Sequence, residues 1–258
     1  SFCSNHILRG KNLGGYVQFR NIDDIIEEIK NIKNKYRKIH TIMLETETFS
    51  MNLNYAYKLL EALEQYNSQL KNKLKFCTNL LFNDNIKKDM KKFVKKLKAA
   101  NCMQVIMGFE SGSERIRQNI LKRPPYTNKD FVKFCRYLQK HSILVALNVM
   151  VGLPTESKQD INKTIAILDK ISPALVMPVI FNFYPGTDIY KYMLKNKIIE
   201  KKVFSACWDE RRTASFDSDR LSKEEIQEQF QYLFDRYEKE NKRRIETVKK
   251  LHKTNLKS

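Results

Sequence analysis

Short apolar runs alternate with amphipathic stretches along most of this chain. The runs at 39–44, 74–78, 103–108, 143–151 and 175–183 are continuous and rich in Ile, Val, Leu, Met and Phe, the pattern of strands buried on both faces. Between them apolar residues return at helical spacing. Ile22, Ile25, Ile26, Ile29 and Ile32 predict a helix ending near Tyr36, and Tyr55, Leu59, Leu60 and Leu63 predict another over 53–66. Ile86, Met90, Phe93, Val94 and Leu97 mark a third, and a short one over 116–121 is stopped by Pro124 and Pro125, because proline cannot continue a helix. Two more follow, from Thr127 to about Lys140 and along Ile161, Ile165, Leu168 and Ile171. Strands alternating with helices at this pace predict an α/β chain with a parallel sheet and right-handed crossovers. After Ile199 the rhythm stops. Residues up to Arg220 show no periodicity, and a capping box of Ser222 and Glu225 then opens a long charged helix with an Ile226, Phe230, Leu233, Phe234, Tyr237 stripe. The expected organisation is therefore 1–199 as one α/β body and 200–258 as an irregular segment plus a charged helix.

Each predicted strand but the last ends on polar residues. Glu45 and Glu47 follow the first, Thr78 and Asn79 the second, Glu110 and Ser111 the third, and Gly152 to Glu156 the fourth. The run from Cys102 to Arg115 is the clearest. An apolar strand stops at Glu110 and Ser111, Gly108 and Gly112 bracket the turn, and Ser113 can cap the helix beginning at Glu114. Carboxyl ends of parallel strands are where α/β folds meet ligands. A single such junction reads equally well as a capped loop; its repetition points to a site.

Composition narrows the partners. The 258 residues carry 48 Lys and Arg against 29 Asp and Glu, a formal charge of +19, which invites a nucleic-acid reading. The lysines of 87–96, however, cover the polar side of one apolar stripe, and no aromatic residue stands on that polar side to stack bases. They read as a solvated face in a chain rich in Lys, Asn and Ile, and nucleic acid is not the expected partner. No apolar run reaches the ~18 to 20 residues of a membrane span, and the first residues lack the pattern of a signal peptide. Cys3, Cys77, Cys102, Cys135 and Cys207 are scattered and odd in number, as reduced cytosolic thiols are, so a cytoplasmic location is expected. The four histidines fall at no metal-ligand spacing.

The ordered set of motifs resembles the barrel of radical S-adenosylmethionine (SAM) enzymes, of the kind found behind a cobalamin-binding domain. Ser1-Phe2-Cys3-Ser4-Asn5 is similar to the end of that family's C-x-x-x-C-x-aromatic-C cluster motif. Met43–Phe49, Gly108–Glu114, Lys122-Arg123, Val149–Glu156 and Tyr184–Thr187 follow in the family's order over residues 1 to about 195. The resemblance implies a partial (β/α)6 TIM-type barrel lacking its first strand, with a C-terminal helical tail. It implies a [4Fe–4S] cluster and SAM as cofactors, cobalamin through an upstream domain, and a reductant such as flavodoxin or ferredoxin.

By the same resemblance Cys3 would be a cluster ligand and Phe2 would lie against the adenine. Glu47 matches the acidic residue that receives the methionine ammonium, but Glu45-Thr46-Glu47 stands where many members have Gly-Gly-Glu, so Glu45 and Glu47 are not separated. Glu110 or Ser111 would reach the ribose or the methionine end, Arg123 would pair with its carboxylate, and Val151 and Gly152 would pass the adenine along the backbone. The motif's other two cysteines and the first strand would precede Ser1, so Cys3 alone is not expected to hold a cluster. The implied activity is reductive cleavage of SAM to act on an unknown substrate. Two alternatives stand beside it, a methyl- or methylthiotransferase acting on RNA and a degenerate barrel kept as a binding scaffold.

Overall fold

The computed structural model describes residues 2–3, 18–46, 48–200 and 211–254, with side chains of the last helix described through Lys239 and at Asn241. In order these form α1 (Ile22–Lys35), β1 (Thr41–Leu44), a 3-10 turn (Phe49–Met51), α2 (Leu53–Ser68), β2 (Lys75–Leu80), α3 (Asp84–Lys88) and α4 (Met90–Ala99). Then come β3 (Cys102–Glu110), a π-helical turn (Ile116–Ile120), α5 (Asn128–Lys140), β4 (Leu144–Val151), α6 (Lys158–Ile171), β5 (Leu175–Ile180), α7 (Asp188–Lys195) and α8 (Lys223–Thr254). The five strands make one parallel sheet in the order β1-β2-β3-β4-β5, and it is not closed. Thr41 lies opposite Lys75 and Leu44 opposite Thr78, while the β2–β3 register shifts between Phe76 and Cys77. This is the open, partial TIM-type barrel that the alternation and the resemblance predict.

The helices start where short polar side chains replace the missing intrahelical acceptors. Asn21, Asn52, Asn83, Thr127, Ser157 and Thr187 each accept a hydrogen bond from a backbone N–H two or three residues ahead. Three elements differ from expectation. The lysine-rich helix is broken at Asp89, whose backbone (φ −111°, ψ 24°) ends α3 and begins α4, although the apolar stripe runs on unbroken. β5 ends at Ile180 rather than at Phe183. Helix α7, absent from the sequence reading, starts on the Thr187 cap and buries Ile189 and Met193.

The described residues divide into two compact units. The first, residues 18–108 together with Pro124–Ala146, has Phe82 stacked on Phe134 and edge-on to Tyr126 and Phe131. Buried Asn67 ties it together by bonding both the N–H and the C=O of Leu74 and the C=O of Ala100. On α3 and α4, Lys87 pairs with Asp130, Lys96 pairs with Glu61, and Lys92 lies over the Tyr57 ring.

The other unit holds Phe2, Cys3, Phe109–Arg123 and the chain from Leu147 on. Its core joins Ile116, Leu121, Leu153, Phe181, Phe183, Ile189, Met193 and Phe216. Helix α8 packs along β5 and helps close that strand's outer edge. Asn241 bonds both the N–H and the C=O of Val176, Pro178 has no N–H to offer, and the N–H of Ile180 donates to the Arg211 carbonyl. An edge treated this way presents little to another strand. Asn241→Ala removes two hydrogen bonds from the Val176 backbone and is expected to cost about 1–3 kcal/mol. In urea this would appear as a lower midpoint with the slope kept; an unchanged midpoint would show that the edge is held by other contacts.

Candidate functional site

The carboxyl end of β3 makes a sharp, strained exit. Glu110 sits in the left-handed region (φ 64°), which a residue with a Cβ adopts only when its surroundings impose it. Three contacts impose it here. The Ser111 N–H donates back to Phe109 O at 2.8 Å, the Gly112 N–H donates to Thr164 Oγ1 at 2.7 Å, and Arg117 Nη1 donates to Ser111 O at 2.6 Å. A Cβ on Gly112 would stand 2.4 Å from the Thr164 backbone, so only glycine allows α6 this close. Arg117 is 1% exposed, with its guanidinium over the Phe109 ring.

The π-helical turn then brings the chain back. Leu121 N–H donates to Ile116 O and Arg123 N–H to Arg117 O, which returns Arg123 to form an ion pair with Glu110 through Nη2 and Oε1. The pairing uses one nitrogen and one oxygen. Glu110 Oε2 and Arg123 Nε are left buried with no hydrogen-bond partner. Arg123 also lies over the ring of Phe2, 5.4 Å from its centroid. Burial pushes the Glu110 carboxyl up, and the Arg123 guanidinium opposes that shift.

The turn after β4 is the second part of the site. Gly152 (φ 85°) and Thr155 (φ 63°) are both left-handed. Glu156 is fully buried beneath them, where its Oε2 accepts the N–H groups of Gly152 (2.8 Å) and Leu153 (3.3 Å). Its Oε1 has no hydrogen-bond partner at bonding distance. Burial pushes this carboxyl up to about 8, against the pull of the two N–H groups and of the Ser111 hydroxyl. Arg115 holds Thr155 through its Oγ1 and its carbonyl, and pairs with Asp160 at 2.8 Å. Burial pushes Asp160 up, but hydrogen bonds from Ser113, Ser157 and Arg115 outweigh it and hold the carboxyl below the usual range.

Of the sequence-derived candidates, Phe2, Cys3, Glu110, Ser111, Arg123, Val151 and Gly152 all fall in one unit. Phe2, Arg123 and Glu110 form one contact chain, and Ser111 leads from Glu110 to Glu156 and so to Gly152. Two backbone groups expected at the adenine are already engaged: the Val151 carbonyl accepts from Phe181 N–H and the Gly152 N–H donates to Glu156. Glu110, Ser111, Val151 and Gly152 are buried, whereas Phe2, Cys3 and Arg123 are partly exposed. Glu45 belongs to the other unit, where Asn79 Nδ2 donates to its Oε1 and to the Thr46 carbonyl; the ends of β1 and β2 thus meet. Glu47, Cys207 and Trp208 lie outside the described residues.

Among the described residues no three His, Cys, Asp or Glu side chains group to hold a metal. Cys77, Cys102 and Cys135 are buried in β2, β3 and α5, and burial pushes their thiols up, which suits packing rather than ligation. Arg115, Arg117, Asp160 and Thr164 were not singled out from sequence. Asp160 had a signal, since it stands three residues after Ser157 in a capping box; Arg117 had none in a chain with 48 basic residues.

A family model described as the radical SAM superfamily matches residues 1–168. The chain is 26% identical over 199 residues to an uncharacterized methyltransferase of Pyrococcus horikoshii, covering 77% of this chain and 40% of that protein. It is 28% identical over 215 residues to a tRNA-2-methylthio-N(6)-dimethylallyladenosine synthase of Buchnera aphidicola, covering 78% and 45%. It therefore spans less than half the length of these relatives. Among solved structures it resembles the SAM methyltransferase TsrM of Kitasatospora setae, with cobalamin and a [4Fe–4S] cluster bound (TM-score 0.58, 17% identity, 82% of this chain and 41% of that one). It also resembles coproporphyrinogen III oxidase of Escherichia coli (TM-score 0.54, 14% identity, 85% and 45%). At these identities the structural likeness speaks for the fold.

Glu156 generates a pH dependence. The folded state keeps a proton on its carboxyl up to about pH 8, whereas the unfolded chain releases it near 4.5. Folding therefore takes up a proton between these values. The group's contribution is fully present below pH 4.5 and is lost as pH rises toward 8. Glu156→Gln keeps an acceptor for the two N–H groups and cannot ionise. It is expected to flatten the fall in stability over this window by up to about 1.4 kcal/mol per pH unit. Urea midpoints measured across the window check this; equal slopes in both proteins would show that Glu156 is ionised when folded.

Proposed function

The chain belongs to the radical SAM superfamily, and from that premise we propose that it is the catalytic barrel of a radical SAM enzyme, with Arg123 as its anchor for SAM. The observation that carries this is the end-on Glu110–Arg123 pair at the exit of β3, with Arg123 Nε unpartnered and the guanidinium partly exposed beside Phe2. A buried N–H donor without an acceptor costs stability, and a carboxylate approaching Arg123 would satisfy it. SAM offers such a carboxylate on its methionine end, and a planar guanidinium held by Glu110 is suited to receive it. Glu110 fixes the arginine, and Phe2 provides an aromatic face for the adenine. The turn at Val151 and Gly152 contributes shape rather than free backbone hydrogen bonds. Glu45, oriented by Asn79, and Glu47 share the assignment for the methionine ammonium.

Cys3 would supply one thiolate to a [4Fe–4S] cluster. When bound, the cluster and SAM supply the electron and the carbon-centred radical. The chain's own work is to orient the cosubstrate and keep water from it. A second reading specifies the reaction as methyl or methylthio transfer, favoured by the names of the two curated relatives. An upstream cobalamin-binding domain would accord with the first, and an external reductant is needed in either case.

Arg123→Ala is expected to weaken SAM binding by about 1.5–3 kcal/mol, the range for a hydrogen bond to a charged group, with Arg123→Lys intermediate. Calorimetric titration of anaerobically reconstituted protein that includes the motif's other two cysteines measures this. Equal affinity in wild type and Arg123→Ala would remove Arg123 from the site.

A further inference from the structure

The family model ends at residue 168, yet the segment leading into α8 is built onto the turn after β4. Asp219 Oδ1 accepts the N–H of left-handed Thr155 at 2.6 Å. Ile226 packs so closely over Gly152 that a Cβ there would lie 2.8 Å from Ile226 Cγ2. Lys158 at the start of α6 pairs with Glu225 at 2.7 Å. The segment is itself fixed: Ser218 bonds Leu221 and the Arg220 N–H, Asp217 accepts the Lys223 N–H, and Ser222 and Glu225 cap α8 reciprocally.

We propose that Asp219 and Ile226 are positioning residues for SAM, acting through the Thr155 and Gly152 backbone of the β4 turn. The turn needs such support. Thr155, a β-branched residue at φ 63°, holds a conformation that an unsupported chain would leave. Arg115 holds the carbonyl and hydroxyl of Thr155 from one side, and Asp219 holds its N–H. Glu156 fastens the Gly152 N–H, and Ile226 closes over its Cα. Both N–H groups and the Thr155 carbonyl are thereby engaged, so the loop has one shape to offer. Because glycine leaves no side chain between, a change at Ile226 reaches the Gly152 backbone directly. The segment beyond the matched family region thus completes the turn.

This rests on reading the β4 turn as part of the SAM site, and the test separates the two. In reconstituted protein that includes the motif's other two cysteines, Asp219→Ala is expected to raise the SAM dissociation constant roughly 3- to 10-fold and to speed amide exchange at 152–156. Asp219→Asn, whose side-chain oxygen still accepts the Thr155 N–H, is expected to restore both, which a general loss of stability would not do. Ile226→Val, a one-methyl trim that keeps the fold, should give a smaller loss in the same direction. Faster exchange with unchanged SAM affinity in Asp219→Ala overturns the proposal, as does an Asp219→Asn variant no better than alanine. Arg123→Ala, measured alongside, reports on the site itself. If it too leaves affinity unchanged, the SAM reading of this unit has failed; if it alone weakens binding, only the positioning role has.

Discussion

A carboxylate at the end of a buried strand must find a cation, and the architecture after β3 is arranged around that need. Glu110 is almost fully enclosed, where an unpaired charge would cost several kcal/mol. Its partner Arg123 stands 13 residues on, too far for a simple turn. The chain returns through a π-helical turn stabilised by buried Arg117, which also pins the Ser111 carbonyl and covers Phe109. Local π geometry is uncommon and gathers at functional sites. Here its effect is visible: it brings the arginine back to the strand that carries its partner.

The same logic of fastened backbone runs through the β4 turn. Two left-handed residues, a buried carboxyl acting as a cap, and an arginine that serves Thr155 and Asp160 together make a loop with little freedom. Rigid loops on a sheet edge hold a cosubstrate better than mobile ones, since little ordering remains to be done on binding. The segment before α8 adds the outermost support.

Much of the fold was legible because it rests on patterns that survive drift in surface composition. Continuous apolar runs mark all five strands, and Thr127 and the Ser222–Glu225 box mark helix starts that the structure uses. The break at Asp89 was hidden because the stripe from Ile86 to Leu97 keeps its phase across it. Helix α7 (Asp188–Lys195) is only eight residues long and follows the Tyr184–Thr187 turn directly, too short a stretch for helical periodicity to stand out. At the site, strand-end polarity and family order pointed to Glu110, Ser111, Arg123, Val151 and Gly152, which fall in one unit, and to Phe2, which touches Arg123. Neither signal showed that Arg123 meets Glu110, or that Glu156 takes the Gly152 N–H. Those contacts depend on tertiary closure of the β3 and β4 turns. Arg117 is the plainest case, a buried cation indistinguishable in sequence from dozens of solvated ones.

The central claim is that Arg123, held by Glu110, receives the carboxylate of SAM. The most direct measurement is an anaerobic crystal structure, with SAM bound, of cluster-loaded protein that includes the motif's other two cysteines. The account predicts the methionine carboxylate within hydrogen-bonding distance of the Arg123 guanidinium and the adenine against Phe2 and the Gly152 turn. SAM bound elsewhere, with Arg123 contacting Glu110 alone, would contradict it.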